Sequence, residues 1–373
     1  LELLLNKHHL NRREEFRYFA EHELDTGDHF PRENLAKAGQ RGYMGLPIPS
    51  CWNGQGEDFL TYILMIEEVS RVCASTGVIL SVHTSVGTFP LLYYGTVDQK
   101  KQYLGKLAGG DLLGAFALTE AGAGSDAAAL ISSAVVVEGG YRLNGSKLFI
   151  TAGGEADLIT VFATLDRSLG HRGITAFLVE KNQPGLVAGL PEKKMGLSRS
   201  KTTALQLEDL FVPTSNRLGA EKEGFQIAMS LLDGGRIGIA AQGLGLAQAS
   251  LDFTLNYLQQ VKGTTNQTNH SSVLIIAELA AKIEAARLLV YRAALAKESG
   301  KRCTREASMA KLFATDLAME TATRCLDLFY PASKGGNNPL NRYFCDAKAT
   351  QIYEGTNQIQ RIVIARELLK RLS

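Results

Sequence analysis

Residues 59–72, F-L-T-Y-I-L-M-I-E-E-V-S-R-V, place apolar side chains on a broad face with Glu67, Glu68 and Arg71 opposite, the repeat of an amphipathic helix. Two shorter helices are predicted before it, over 14–24 and 31–39, and another after it, over 99–107, with Asp111 closing before Leu112. Residues 81–89 are small and apolar, suited to a helical core or to the wall of a ligand channel. The period then changes. Residues 134–138 and 141–143 flank Gly139-Gly140, a hairpin signal, and Asn144-Gly145 predicts a second turn before 147–151. Runs at 158–164, 174–179 and 204–212 follow, separated by Gly, Pro, Ser and Asp. Several short strands with turns between them predict a small β-barrel or sandwich. From residue 224 the helical period returns in four long runs, about 224–260, 272–298, 304–330 and 345–372, which short links would fold into a four-helix bundle.

The expected fold class is therefore α+β multidomain: an N-terminal α-helical domain (1–115), a central β-barrel domain (116–223) and a C-terminal four-helix bundle (224–373). A chain of 373 residues exceeds one typical core, which agrees with several packed domains. Strands do not alternate with helices, so a doubly wound dinucleotide fold is disfavoured. Forty Lys and Arg against 38 Asp and Glu give a net charge of +2 with no basic block, which argues against nucleic acid and membrane surfaces as partners. No stretch approaches the ~18 uninterrupted apolar residues of a membrane span. The five cysteines, Cys51, Cys73, Cys303, Cys325 and Cys345, are scattered and never spaced C-x-x-C. That pattern fits a reducing compartment better than a disulfide framework or a zinc site. The seven histidines have no metal-ligand spacing either, so no metal site is expected. The chain opens on Leu1 rather than Met, which leaves open a targeting segment ahead of it.

The candidate chemistry begins at residues 116–126, F-A-L-T-E-A-G-A-G-S-D, where an apolar strand end runs into a glycine-rich turn. Such a turn exposes backbone N–H groups and hydroxyls to an anion. Gly122-x-Gly124 lacks the third glycine of G-x-G-x-x-G, because Ala127 stands there, so the Rossmann fingerprint is not met.

Three further stretches give the turn a context: L-N-G-S-K-L-F-I-T-A-G-G (143–154), L-D-G-G-R-I-G-I-A-A-Q (232–242) and Q-I-Y-E-G-T-N-Q-I-Q-R (351–361). With 116–126 they resemble the acyl-CoA dehydrogenase family, nearest to its short-chain (butyryl-CoA) members, over nearly the whole chain. The resemblance implies an FAD-dependent oxidoreductase of fatty acid metabolism and β-oxidation that converts an acyl-CoA thioester to a trans-2-enoyl-CoA. Glu354 matches the glutamate that removes the α-proton while the β-hydrogen leaves as hydride to flavin N5. The α-C–H of a thioester is a poor acid, so a positioned base must act while the developing enolate oxygen is hydrogen-bonded. Burial would raise a glutamate from its ordinary pKa toward the working pH. In isolation Glu354 beside Gly355 reads first as the end of a helical turn, and only the resemblance makes it the base. Some family members carry the base on another helix, at the position of Gly235, which cannot serve.

By the same resemblance Phe116, Leu118 and Thr119 face the isoalloxazine, and Gly124 and Ser125 approach the pyrophosphate. Phe149, Ile150 and Thr151 lie against the ring, although Phe149 on its own also fits a barrel core. Thr356, Asn357 and Gln358 bind the adenosine-diphosphate side. Ser125, Asp233, Arg236 and Gly355 match acyl-CoA contacts, with a buried Asp233–Arg236 helix-capping pair as the open alternative. The implied partners are a short- to medium-chain acyl-CoA or a carrier-bound acyl thioester, an electron-transfer flavoprotein, and further copies of the chain in a homotetramer or dimer. The implied location is the cytoplasm for a bacterial protein and the mitochondrial matrix for a eukaryotic one.

Two segments depart from the family pattern. After residue 260 the family carries R-x-x-F-G, whose arginine grips the flavin pyrophosphate. Here 261–272 read V-K-G-T-T-N-Q-T-N-H-S-S, with Lys262 the single cation and without the forked guanidinium. Later, the glycine loop for the adenine end is replaced by D-L-F-Y-P-A-S-K (327–334), with Tyr330-Pro331 where two glycines belong. Losing one charge-assisted phosphate contact costs ~1.5–3 kcal/mol. These departures predict a weakened hold on FAD and raise an alternative function, a flavin-poor, non-catalytic paralogue that binds acyl thioesters or acts as an assembly partner.

Overall fold

The computed structural model describes residues 4–262, 270–329 and 338–370. The chain begins with helices α1 (Lys7–Glu23), α2 (Arg32–Gln40), α3 (Phe59–Val72) and α4 (Ala74–Val82). Helix α1 starts earlier than its apolar period, because Asn6 caps it by accepting from the His9 N–H at 2.8 Å. A π-helical segment, His83–Thr88, leads from α4 into α5 (Phe89–Tyr94); α6 (Val97–Gln99) and α7 (Gly105–Gly109) complete the helical layer. Helix α3 is apolar nearly all round and is buried from Phe59 to Ser70, so it is the central helix of this layer and not a surface one.

The middle of the chain forms one eight-stranded sheet: β1 (Gly114–Ala117), β2 (Ser133–Val137), β3 (Gly140–Thr151), β4 (Leu158–Thr164), β5 (Ile174–Glu180), β6 (Leu186–Pro191), β7 (Thr202–Pro213) and β8 (Arg217–Leu218). Its order is β6-β7-β3-β2-β4-β5-β8, and β1 pairs parallel with β4 from Gly114↔Leu158 to Ala117↔Val161. The Asn144-Gly145 turn expected from the sequence is absent. Strand β3 runs straight through it, with register shifts against β7 at 143/145 and 147/150. Asn144 Oδ1 accepts from the Asp209 N–H at 2.9 Å, and a Cβ on Gly145 would stand 2.3 Å from Ser132 Oγ. The pair therefore forms a bulge where a neighbouring backbone comes close, and bulges of this kind curl a sheet.

Four helices are expected after residue 224, and the described residues form five: α8 (Gly224–Lys262), α9 (His270–Glu298), α10 (Thr304–Phe329), α11 (Leu340–Thr350) and α12 (Asn357–Leu369). The last expected run is broken at 351–356, where Glu354 and Gly355 both take left-handed backbone angles, φ 53° and 85°. Small residues along α8 admit its neighbours closely. A Cβ on Gly238 would meet Ser81 Oγ at 2.2 Å, on Gly245 the Glu67 carbonyl at 2.5 Å, and on Gly243 the Ala314 carbonyl at 3.1 Å. Buried polar links fix the layers to one another. Glu67 of α3 accepts from Arg287 Nε (2.9 Å) and Tyr291 Oη (2.8 Å) of α9, and Asp346 of α11 accepts from the Leu197 N–H ahead of β7 (2.6 Å). Among the described residues no helix is long and apolar enough to cross a membrane.

Candidate active site

The break between α11 and α12 places Glu354 at the site's centre. Its left-handed φ is unusual for a residue with a side chain and costs about 1–2 kcal/mol. The turn is anchored on both sides. The Tyr353 hydroxyl donates to Gln242 Oε1 of α8, and Gln242 Nε2 in turn donates to the Ala74 carbonyl at 2.8 Å. From α10, Lys311 Nζ donates to the Gly355 carbonyl (2.9 Å) and Asn357 Oδ1 (2.7 Å). Gln360 Nε2 holds the Glu354 and Gly355 carbonyls at 3.2 and 3.0 Å.

Held in this way, the Glu354 carboxylate lies on Gly235 of α8. A Cβ built there would be 2.7 Å from Oε1 and 2.8 Å from Oε2. Burial raises the Glu354 carboxyl to about 7, against the fields of Arg236 and Lys311, which favour its anion. Arg236 is buried, with Nη1 donating to Asp233 Oδ1 at 3.0 Å and Nε left without an acceptor among the described residues. Asp233 also accepts from Thr304 Oγ1 at 2.7 Å, so the Asp233–Arg236 pair clamps α8 to the start of α10 while the Arg236 field reaches the Glu354 carboxylate.

The floor of this region comes from the first helical layer. Tyr62 Oη donates to the Ser81 carbonyl (3.3 Å), Ser81 Oγ has no partner among the described residues, and a Cβ on Gly234 would approach Ser85 Cβ at 3.8 Å. The small, apolar stretch at 81–89 therefore faces the glycines of α8, as a channel wall requires. His83 ties it to the sheet. The ring accepts from the Gly114 N–H at 3.0 Å and donates to the Leu107 carbonyl at 3.1 Å, and burial lowers its pKa to about 4, so it is neutral.

A second group of expected site residues gathers at the sheet. Phe116 of β1 packs on Phe162 of β4, ring centroids 4.9 Å apart, and stays half-buried. The Thr119 carbonyl accepts from the Leu148 N–H at 2.8 Å, which brings 116–119 beside Phe149, Ile150 and Thr151. Leu118 and Ile150 are buried and Thr151 is half-buried. Phe149 is not barrel core: it is 65% exposed, with a left-handed φ of 57°. The turn after Thr119 is closed by paired backbone bonds between Glu120 and Ala123 (3.2 and 3.1 Å). It is braced by a buried ion pair, Lys147 Nζ to Glu120 Oε1 at 2.6 Å, with the Ile131 and Ser132 N–H groups on the same carboxylate. Added Cβ atoms on Gly122 or Gly124 would meet nothing within 4 Å, and Ser125 is exposed. An open backbone cradle beside a strained, exposed aromatic ring fits the phosphate and ring of a flavin.

The remaining expected contacts divide. Thr356 caps α12, its Oγ1 accepting from the Ile359 N–H at 3.3 Å, and Gln358 is exposed at that helix N-terminus. Asn357 turns inward, its side chain wholly engaged with Lys311, Thr315 and Asp316. Gly355 lies half-buried beside Glu354. Of the two segments that depart from the family pattern, 263–269 and 330–334 lie outside the described residues. Lys311, Tyr62 and His83 were not anticipated. The available signal for Lys311 was a lone cation in the apolar run S-M-A-K-L-F-A.

Comparison with known proteins agrees with this geometry. The sequence matches the acyl-CoA dehydrogenase N-terminal domain over residues 6–111, the middle domain over 115–210 and the C-terminal domain over 222–369. It is 48% identical over 348 residues to an acyl-CoA dehydrogenase of Bacillus subtilis, covering 93% of this chain and 92% of the relative. A chain of the structure described as the electron transferring flavoprotein of Acidaminococcus fermentans superposes with a TM-score of 0.94 at 42% identity, over 99% of this chain and 100% of that one. Butyryl-CoA dehydrogenase from Megasphaera elsdenii superposes with a TM-score of 0.92 at 38% identity, over 98% and 99%. The three-domain order, the turn that carries Glu354 and these likenesses together place the chain in the acyl-CoA dehydrogenase family, whose members are FAD-dependent oxidoreductases.

Proposed function

We propose that this chain oxidises a short-chain acyl-CoA to the trans-2-enoyl-CoA, with Glu354 as the base. The observation that carries the assignment is the Glu354 carboxylate, fixed over bare Gly235 and raised by burial to about 7. There it is basic enough to accept the thioester's α-proton at neutral pH. A bound flavin supplies the acceptor for the β-hydride, so that C2–H and C3–H are lost as proton and hydride and a C2–C3 double bond forms. Arg236 and Lys311 keep Glu354 ionised until it takes the proton, after which the carboxyl is neutral. The glycines of α8 and the 81–89 segment exclude water from the acyl chain. Phe116, Leu118, Thr119, Phe149, Ile150 and Thr151 would hold the ring, and Gly124 and Ser125 the near phosphate. Thr356 and Gln358 would meet the adenosine side with side chains; Asn357, engaged within the chain, has only its backbone to offer. Ser125, Asp233, Arg236 and Gly355 would line the path of the thioester.

Reduced flavin would pass its electrons to an electron-transfer flavoprotein, and a second copy of the chain would cover the exposed apolar side chains of α9, α10 and α12, such as Leu288, Phe313 and Ile362. Family membership across all three domains does not favour the flavin-poor alternative. The test is anaerobic addition of butyryl-CoA to protein reconstituted with FAD. Loss of the oxidised-flavin absorbance with formation of the enoyl thioester supports the assignment. Protein that is colourless and takes up no added FAD contradicts it.

A further inference from the structure

Lys311 is the buried group whose presence the scaffold does not explain. It sits on the face of α10 that packs into the bundle, with Ala307, Ala310, Ala314 and Ala318 as buried neighbours, and its own exposure is 0%. An apolar side chain of the same length would fill that space without the cost of burying an ammonium. Among the described residues no carboxylate stands in ion-pair contact with it; its partners are the Gly355 carbonyl and Asn357 Oδ1. Asn357 passes the link on, Nδ2 donating to Thr315 Oγ1 (2.9 Å) and Asp316 Oδ1 (2.7 Å), while Gln351 Nε2 reaches the same Asp316 oxygen (2.7 Å). Both ends of the 351–357 turn are thus fastened to one stretch of α10, with the lysine between them.

We propose that Lys311 is a positioning residue for proton abstraction: by binding Gly355 and Asn357 from beneath the turn, it holds Glu354 in its left-handed conformation over Gly235 and supplies the positive charge that keeps the base ionised. The proposal rests on Glu354 being the base. Charged and titratable groups reach this region from several sides: Glu354 and Tyr353 from the turn, Arg236 from α8, Asp316 from α10 and Tyr62 from α3. Burial lowers Lys311 to about 7, with Glu354 and Asp316 opposing that shift, so the ammonium and the carboxylate support each other's charged state. The remaining polar contacts leave room for this role. Gln360 also holds the turn, but it is neutral and adds no field.

The test uses the FAD-reconstituted enzyme in three forms: wild type, Lys311→Met, which removes charge and donors, and Lys311→Gln, which removes the charge but keeps a donor. Two quantities are read against pH: the rate of anaerobic flavin reduction by butyryl-CoA, and the infrared carboxyl band that Glu354→Gln deletes. In both lysine variants the ionisation midpoint of that band should rise by about one pH unit, the scale of losing a neighbouring opposite charge. The acid limb of the reduction rate should move with it, and Lys311→Met should also be slower at its plateau, by roughly tenfold or more, because the base is no longer fixed. An unmoved midpoint in Lys311→Gln overturns the proposal. Failure of both variants to accumulate as flavin-containing protein overturns it too, since the lysine would then serve folding alone. The assignment of Glu354 fails separately: wild type would not be reduced, or Glu354→Gln would be, whatever the band does.

Discussion

The Glu354 carboxylate and the bare backbone of Gly235 occupy one another's space so closely that a single methyl group on Gly235 would stand 2.7–2.8 Å from both carboxylate oxygens. Glycine at 235 is thus the counterpart of glutamate at 354: the carboxylate reaches this position from the α11–α12 turn only because α8 has no side chain there. Gly235→Ala should displace the carboxylate while leaving the sheet-side residues proposed to hold the flavin alone. The expected result is flavin reduction slowed by roughly tenfold to a hundredfold with unchanged flavin content, measured by rapid mixing with butyryl-CoA. A rate within twofold of wild type would show that the carboxylate has freedom to move.

The raised carboxyl sets two pH dependences with distinct signs. As a proton acceptor Glu354 must be ionised, so kcat/KM should fall as the pH drops below about 7. For stability the order reverses. A carboxyl raised on folding favours the native state while protonated and opposes it once ionised, so this contribution is lost as pH rises from the ordinary value of 4.5 toward 7. Glu354→Gln should therefore melt higher than wild type above pH 7 and no higher in acid. Thermal unfolding at the two extremes checks this, and equal differences at both would refute the assigned ionisation.

The buried pair Lys147–Glu120 braces the glycine turn. Burial alone would raise Glu120, but the Lys147 ammonium and the Ile131 N–H hold it below the usual carboxylate range. Lys147→Met would leave that carboxylate without its cation, a loss of about 3–5 kcal/mol. Denaturant unfolding should record it, together with weaker FAD binding as the turn loosens. A variant as stable as wild type would mean that the two N–H groups suffice.

Phe149 carries the opposite balance, strain without burial. Its left-handed backbone costs about 1 kcal/mol or more, and its ring is largely exposed in the protein alone. Phe149→Gly should leave the flavin-free protein as stable or more so while weakening FAD binding, as thermal unfolding and FAD titration would show. A lower melting temperature without FAD would place the ring in the core after all.

Much of this was legible in the sequence because it depends on period. The apolar repeat of 59–72 marks α3 at its observed bounds, Phe59–Val72, and the apolar and β-branched run at 158–164 marks β4 at Leu158–Thr164. At Asn144-Gly145 the sequence predicts a turn where β3 has a bulge, because the two signals share the same residues, and only pairing on both sides of β3 selects the bulge. The break at Glu354 was hidden for a related reason. Gly355 marks a turn locally, but apolar residues flank it at helical spacing, and the φ 53° that Glu354 itself takes depends on Lys311, Gln360 and Tyr353, which hold it there. Lys311 itself lay at a core position of α10, visible as a lysine where alanines recur, but its partners are more than 40 residues away in sequence.

The most direct test of the account is Glu354→Gln in the FAD-reconstituted enzyme, mixed anaerobically with butyryl-CoA. The variant should retain its flavin yet bleach slower than wild type by ~10²–10⁴, the usual share of a general base. Bleaching at the wild-type rate, or loss of the flavin itself, would contradict the assignment of Glu354 as the residue that takes the α-proton.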